Sequence, residues 1–66
     1  MTSYYNDKKR ATLMLRQLLA ARQRTVEDLH MAVLTEFGFG RKFVMEFLDL
    51  HKNALKEKNG LYKWKV

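Results

Sequence analysis

Basic side chains cluster beside two glycine-containing turns of this sequence, and they are the residues best suited to chemistry. Arg41 and Lys42 follow one glycine, and four lysines flank the dipeptide Asn59-Gly60, namely Lys56, Lys58, Lys63 and Lys65. A lysine ammonium group binds phosphate oxygens as a point charge, whereas an arginine can donate two hydrogen bonds to one guanine edge. The pattern therefore predicts a surface that binds a polyanion.

The balance of charge over the whole chain supports the same interpretation. Thirteen Lys and Arg residues against seven Asp and Glu give a formal net charge of +6 and a pI near 9.9. Residues 1–24 sum to +5 and residues 55–66 to +3, whereas residues 25–38 sum to −3. Such a protein favours nucleic acid as its first partner and an anionic membrane surface as its second. Scattered lysines on a solvated surface are the plainer alternative.

The sequence shows no pattern for catalysis or for metal binding. There is no cysteine, no glycine-rich phosphate loop and no histidine spaced to activate a nucleophile. His30 and His51 are too few for a structural zinc site, so we expect His30 to be exposed and His51 to end a helix. We therefore expect no enzymatic activity, no cofactor, no metal and no small-molecule ligand.

Length and composition predict one folded domain over residues 1–66, because 47% of the residues are hydrophobic. No apolar run approaches the roughly 20 residues that a membrane-spanning helix needs. The first ten residues, MTSYYNDKKR, also lack the apolar stretch of a signal peptide. We expect a cytoplasmic protein that does not contact membranes.

Apolar residues recur at helical spacing in the first half of the chain. Asn6 or Asp7 can cap a helix over about residues 7–22, whose apolar stripe is Ala11, Met14, Leu15, Leu18 and Leu19. Thr25 and the acids after it are typical of the start of a second helix, over about residues 26–37, and Gly38 is well placed to end it. Its inward stripe is Val26, Leu29, Val33 and Phe37.

A third helix is predicted over about residues 41–53, with apolar positions around half of its circumference. These positions are Phe43, Val44, Phe47, Leu48, Leu50 and His51. The outward positions carry a mixed, partly basic set of side chains, namely Arg41, Lys42, Met45, Glu46, Asp49 and Lys52. The wide apolar arc exceeds what the core of so short a chain can easily enclose.

The last segment, about residues 54–66, changes from helical spacing to a period of two. Asn59-Gly60 is typical of a two-residue type I′ hairpin turn. The resulting register places Lys56 opposite Lys63, with all four lysines on one face of the hairpin. The other face carries the apolar set Leu55, Tyr62, Trp64 and Val66, which we expect to pack on the helices.

This order of elements, with the apolar residues around Gly38, resembles the winged helix-turn-helix family of DNA-binding domains over nearly the whole chain. The apolar residues that match the family's helix-turn-helix unit are Val33, Phe37, Phe39, Val44 and Phe47. One position departs from the family pattern. Leu34 stands where family members usually have a small residue, because the two helices approach closely at that position in the family. The resemblance implies an α+β, mostly helical fold: a three-helix winged helix-turn-helix with a C-terminal β-hairpin wing.

The resemblance also implies double-stranded DNA binding by a small transcriptional regulator or chromatin-type protein. Helix 3 would read the major groove with Arg41, Lys42 and Met45. The wing would contact the DNA backbone with Lys56, Lys58, Asn59, Lys63 and Lys65, and helix 1 would extend this basic track with Lys8, Lys9 and Arg10. Glu46 and Asp49 weigh against tight phosphate binding by helix 3.

Two further expectations concern partners. Homodimerisation would cover the excess apolar surface of helices 1 and 3, including Tyr4 and Tyr5, and would match a palindromic DNA site. Two other functions stay open, namely a winged-helix adaptor for protein-protein interaction and an RNA-binding or ribosome-associated winged helix. Indifference to duplex DNA would favour the adaptor, and preference for structured RNA would favour the second.

Overall fold

Three helices followed by a β-hairpin make up the fold, which is α+β and mostly helical. The computed structural model describes residues 4–65, and for Tyr4 the backbone alone. The elements are α1 (Tyr4–Ala21), α2 (Val26–Phe37), α3 (Arg41–Leu50), a 3₁₀ turn (Lys52–Ala54), β1 (Leu55–Lys58) and β2 (Leu61–Trp64). The predicted fold class, with three helices and a C-terminal hairpin, is confirmed.

Two helix ends differ from the prediction. α1 begins at Tyr4 instead of about residue 7, so Asp7 lies in its first turn, where a carboxylate interacts favourably with the helix dipole. α3 ends at Leu50 instead of about residue 53, because the chain tightens into the 3₁₀ turn before it enters β1. In this turn the Ala54 N–H donates to the His51 carbonyl at 2.9 Å.

The core lies where the three helices meet and is closed on one side by the hairpin. Its fully buried larger side chains come from all three helices, namely Leu15, Leu19, Leu29, Val33 and Val44. Phe47, Leu48 and Leu55 are nearly as deeply buried. Leu50 does not join them, because 79% of its surface is exposed, so the apolar arc predicted for helix 3 is too wide at its last turn.

The hairpin pairs in the predicted register. Leu55 lies opposite Trp64 and Lys56 lies opposite Lys63 in the antiparallel pair of β1 and β2. Leu55 is buried and Trp64 is half-buried against the helices, whereas both lysines are exposed. Val66, which we also assigned to the apolar face, lies outside the described residues. The period-two pattern therefore separates an apolar face from a basic one.

The connection between α1 and α2 also pairs with the hairpin, which the sequence did not reveal. Arg24 and Tyr62 exchange two backbone hydrogen bonds, with N–O distances of 2.8 and 2.7 Å. β2 is thus flanked by β1 on one side and by this single extended residue on the other. One residue carries no periodicity, so no sequence signal could have indicated it.

Candidate nucleic-acid interface

The turn between α2 and α3 is fixed by backbone hydrogen bonds at a left-handed glycine. Gly38 has φ 75°, and its N–H donates to the Leu34 carbonyl at 3.0 Å, while the Phe39 N–H donates to Val33 at 3.3 Å. Gly40 is extended and directly precedes α3. The two helices are therefore joined by only three residues, and Gly38 ends α2 as predicted.

Leu34, the position that departs from the family pattern, is 43% exposed. Its side chain is therefore partly accessible to solvent and is not fully enclosed between α2 and α3. At the start of α2, the Thr25 hydroxyl accepts a hydrogen bond from the Asp28 N–H at 3.1 Å, as the capping pattern predicts.

The first turn of α3 presents the side chains predicted to read DNA bases. Arg41, Lys42 and Met45 are all exposed. The Arg41 guanidinium forms an ion pair with the Glu27 carboxylate at the start of α2. Both side chains remain more than half exposed, so solvent competes for the pair and a ligand can reach the guanidinium.

The rest of the exposed surface of α2 and α3 is rich in acids. Glu46 and Asp49 are exposed on α3, and α2 carries Glu27, Asp28 and Glu36 but no Lys or Arg. Residues 26–50 thus contain five acidic and two basic side chains. Duplex DNA repels such a surface unless individual carboxylates accept hydrogen bonds from cytosine amino groups.

The tip of the hairpin adopts the predicted type I′ geometry. Asn59 and Gly60 both have positive φ, 54° and 81°. The Gly60 N–H also donates to the Glu57 side-chain Oε2 at 2.9 Å, which fixes the turn from within the hairpin. Asn59 is exposed at this tip, where the sequence placed it as a DNA contact.

We call the basic side of the hairpin the lysine face, defined by Lys56, Lys58, Lys63 and Lys65. All four side chains are exposed. Three of them line a shallow surface depression together with Gln23, which follows α1. The Lys65 ammonium donates to the Asn53 carbonyl at 3.2 Å, so it is held near the base of the hairpin. The structure thus brings together the wing lysines that the sequence assigned to one face.

The basic residues of α1 lie apart from the lysine face. The Lys9 ammonium lies over the Tyr5 ring at 4.8 Å, and the Arg10 guanidinium lies over the Phe37 ring at 5.7 Å. Lys8 and Lys9 also line a surface groove between α1 and α3, each in a different half. The predicted track of Lys8, Lys9 and Arg10 is therefore spread around one end of α1 instead of continuing the lysine face.

A groove runs between α1 and α3 and has an aromatic floor. One half is lined by Thr12, Phe43, Phe47 and Leu50, and the other half reaches Arg16 and Trp64. The Arg16 guanidinium lies over the Trp64 ring at 5.1 Å. The His51 ring also lies in the groove, 4.6 Å from the Phe47 ring and 5.7 Å from the Trp64 ring.

Both histidines are half-buried. His51 follows the last residue of α3, as predicted, and its N–H donates to the Phe47 carbonyl at 3.0 Å. His30 is half-buried, so the prediction that it is exposed was wrong. Over residues 4–65, no three His, Asp or Glu side chains are grouped so that they could hold a metal ion.

Arg24 is a basic residue of this region that sequence reasoning did not single out. Its backbone pairs with Tyr62, and within residues 4–65 its buried Nε has no hydrogen-bond partner.

None of the helices within residues 4–65 is long and apolar enough to cross a membrane. Comparisons with protein-family models, with curated proteins and with solved structures find no match to this chain.

Proposed function

We propose that this chain binds double-stranded DNA as a small winged helix-turn-helix protein. The observation that carries the proposal is the lysine face, which holds four exposed ammonium groups on one side of a hairpin whose other side packs on the core. Repulsion between the four ammonium groups lowers the stability of the isolated fold, and bound phosphate groups would neutralise this repulsion. A regulatory or chromatin-type role and a nucleoid-associated location belong to the same proposal.

The lysine face supplies affinity in this proposal, and the start of α3 supplies base contacts. Lysines that bind phosphates release counterions, and this release gives most of the sequence-independent binding energy. Arg41 and Lys42 lie at the exposed start of a helix that directly follows the helix-turn-helix connection. Arg41 must exchange its ion pair with Glu27 for a guanine edge, so its contribution is to specificity more than to affinity.

The acid-rich surface of α2 and α3 favours a second candidate function, the protein-interaction adaptor. Five carboxylates on the helix-turn-helix unit would suit a basic protein partner as well as the lysine face suits phosphates. The two functions differ in a simple way, because only DNA binding requires the lysines of the hairpin.

Fluorescence anisotropy of a labelled duplex, titrated with protein over a salt series, tests the proposal. The double variant Lys56→Gln/Lys63→Gln removes the cross-strand pair from the lysine face. It should lower the slope of log K against log salt by about 1.8, because each phosphate contact contributes about 0.9. The control Lys9→Gln/Arg10→Gln removes equal charge from α1 and should change the slope less.

Three results would overturn this model of DNA binding. Absence of binding at about 20 mM salt, where phosphate contacts are strongest, would favour the adaptor. Equal losses in the two double variants would mean that net charge, and not the lysine face, binds the duplex. Tighter binding to a labelled RNA stem-loop than to the duplex would favour the RNA-binding alternative.

A further inference from the structure

The groove between α1 and α3 is a surface without a partner in the isolated chain. Its floor is aromatic, and its rim carries exposed apolar side chains, since Leu50 is 79% and Leu13 is 53% exposed. Its two halves have volumes of about 160 and 290 Å³, which are small for a drug-sized ligand but sufficient for side chains. The groove is therefore suited to a protein segment.

The charges along this groove restrict what can occupy it. The α1 side carries Lys9 and Arg16, and Arg16 is held in place by its stacking on Trp64. Lys8 adds a third cation, and Glu46 on the α3 side is the acid among the residues that line it. A segment that presents apolar side chains beside carboxylates complements both features.

The outer side of α2 has this composition. Met31 and Leu34 are 55% and 43% exposed and lie one helical turn apart, so they form a single apolar stripe. Glu27 and Asp28 are exposed one turn before Met31, and α2 contains no Lys or Arg. Glu27 is already paired with Arg41 of α3, so Asp28 supplies most of the negative charge that this side offers to the groove. The chain thus carries, on two different faces, an apolar-acidic helix and an apolar-basic groove.

We propose that the outer side of α2 in one copy of this chain docks in the α1–α3 groove of another copy. Face-to-face pairing of two grooves would place the cations of α1 near those of the second copy, which disfavours a two-fold dimer through the groove. Docking of unlike faces is heterologous, and it builds a ring or an open chain of subunits. This self-association involves neither the lysine face nor DNA. It can therefore be tested, and refuted, independently of the proposed function.

Sedimentation velocity of the protein without DNA, over concentrations up to about 1 mM and at low and high salt, tests the proposal. The wild-type chain should associate with increasing concentration, and less so at high salt. Leu50→Glu places an acid on the groove, and Met31→Lys places a cation on α2. Each should raise the Kd of self-association about ten-fold or more.

Mixing the two variants separates docking of α2 in the groove from groove-to-groove pairing and from α2-to-α2 pairing. Leu50→Glu keeps an intact α2 face and Met31→Lys keeps an intact groove, so a 1:1 mixture should form one heterodimer and no larger species. Both substituted side chains are exposed, and circular dichroism should show an unchanged helix content. The controls Gln17→Glu on α1 and Glu36→Lys on α2 alter exposed residues that lie outside the groove lining and the Met31–Leu34 stripe, and should associate as the wild type does.

A wild-type chain that stays monomeric at every concentration would overturn the inference. So would a monomeric mixture of the two variants, because intact complementary faces should then have met. Undiminished association of Met31→Lys beside a monomeric Leu50→Glu would assign the groove to a partner surface other than α2.

Discussion

The α2–α3 pair and the hairpin carry opposite net charge, although the resemblance assigns both to one DNA surface. Residues 26–50 contain five acids and two bases, whereas residues 55–65 contain four lysines and one glutamate. In the DNA-binding model, α3 is expected to read bases, but its acid-rich surroundings would be repelled by the DNA phosphates. The hairpin, which is expected only to position the domain, holds the charge that attracts phosphates. Affinity and selectivity are thus expected to reside in separate parts of this small fold.

The two regions also differ in their share of the core. Leu29 of α2 is fully buried, whereas Leu55 of β1 is 8% exposed at the edge. We expect Leu29→Ala to cost about 3–4 kcal/mol of unfolding free energy, and Leu55→Ala about 2 kcal/mol. Urea denaturation followed by circular dichroism measures both values. An equal or larger loss for Leu55→Ala would show that the hairpin contributes as much to the core as α2 does.

Each region contains one turn glycine with positive φ, which allows a matched substitution. Gly38 has φ 75° and Gly60 has φ 81°, and an added Cβ would meet no atom within 4 Å at either position. Alanine should therefore cost about 1–2 kcal/mol at each site through backbone strain alone. Thermal unfolding compares the two variants. A much larger loss for Gly38→Ala would reveal a steric requirement at the helix-turn-helix connection.

Local signals explain how much of this fold was predictable from the sequence. Thr25 and Gly38 delimit α2 at both predicted ends, because capping hydrogen bonds depend on neighbouring residues. Asn59-Gly60 likewise determines the hairpin register. Pairing between Arg24 and Tyr62 depends on how distant segments meet, and no local pattern encodes it.

The candidate site was predictable to a similar extent. Alternation in the hairpin located the lysine face, and every lysine assigned to it is exposed. The ion pair of Arg41 with Glu27 and the spread of Lys9 and Arg10 around α1 arise from tertiary packing. Helical periodicity also overestimated the apolar arc of α3, because it cannot tell that Leu50 lies beyond the last contact with the core.

Neutralising the acids of α3 should strengthen DNA binding, if this helix faces the duplex. Glu46→Gln/Asp49→Asn removes two exposed carboxylates, and we expect affinity for mixed-sequence duplex to rise about three- to ten-fold. Anisotropy at constant salt measures the change, with Asp28→Asn/Glu36→Gln on α2 as a variant of equal charge. Unchanged affinity for the α3 variant would place this helix away from the duplex.

The smallest effect is expected at the ion pair between the two helices. Glu27→Gln should alter stability by less than about 0.5 kcal/mol, because both partners are more than half exposed. The same change should make Arg41 available to bases and raise affinity about two-fold for guanine-containing sites. Paired titrations with and without a central guanine measure this difference. A loss of affinity would mean that Glu27 orients Arg41 for binding.

The pairing of Arg24 with Tyr62 has a consequence for the way the chain folds. It joins residue 24 to residue 62, so we expect this long-range pairing to form late in folding. Contacts this distant in sequence slow folding and resist partial opening. The amide hydrogens of Arg24 and Tyr62 should therefore exchange only through global unfolding, and the hairpin should open as one unit with the N-terminal helix.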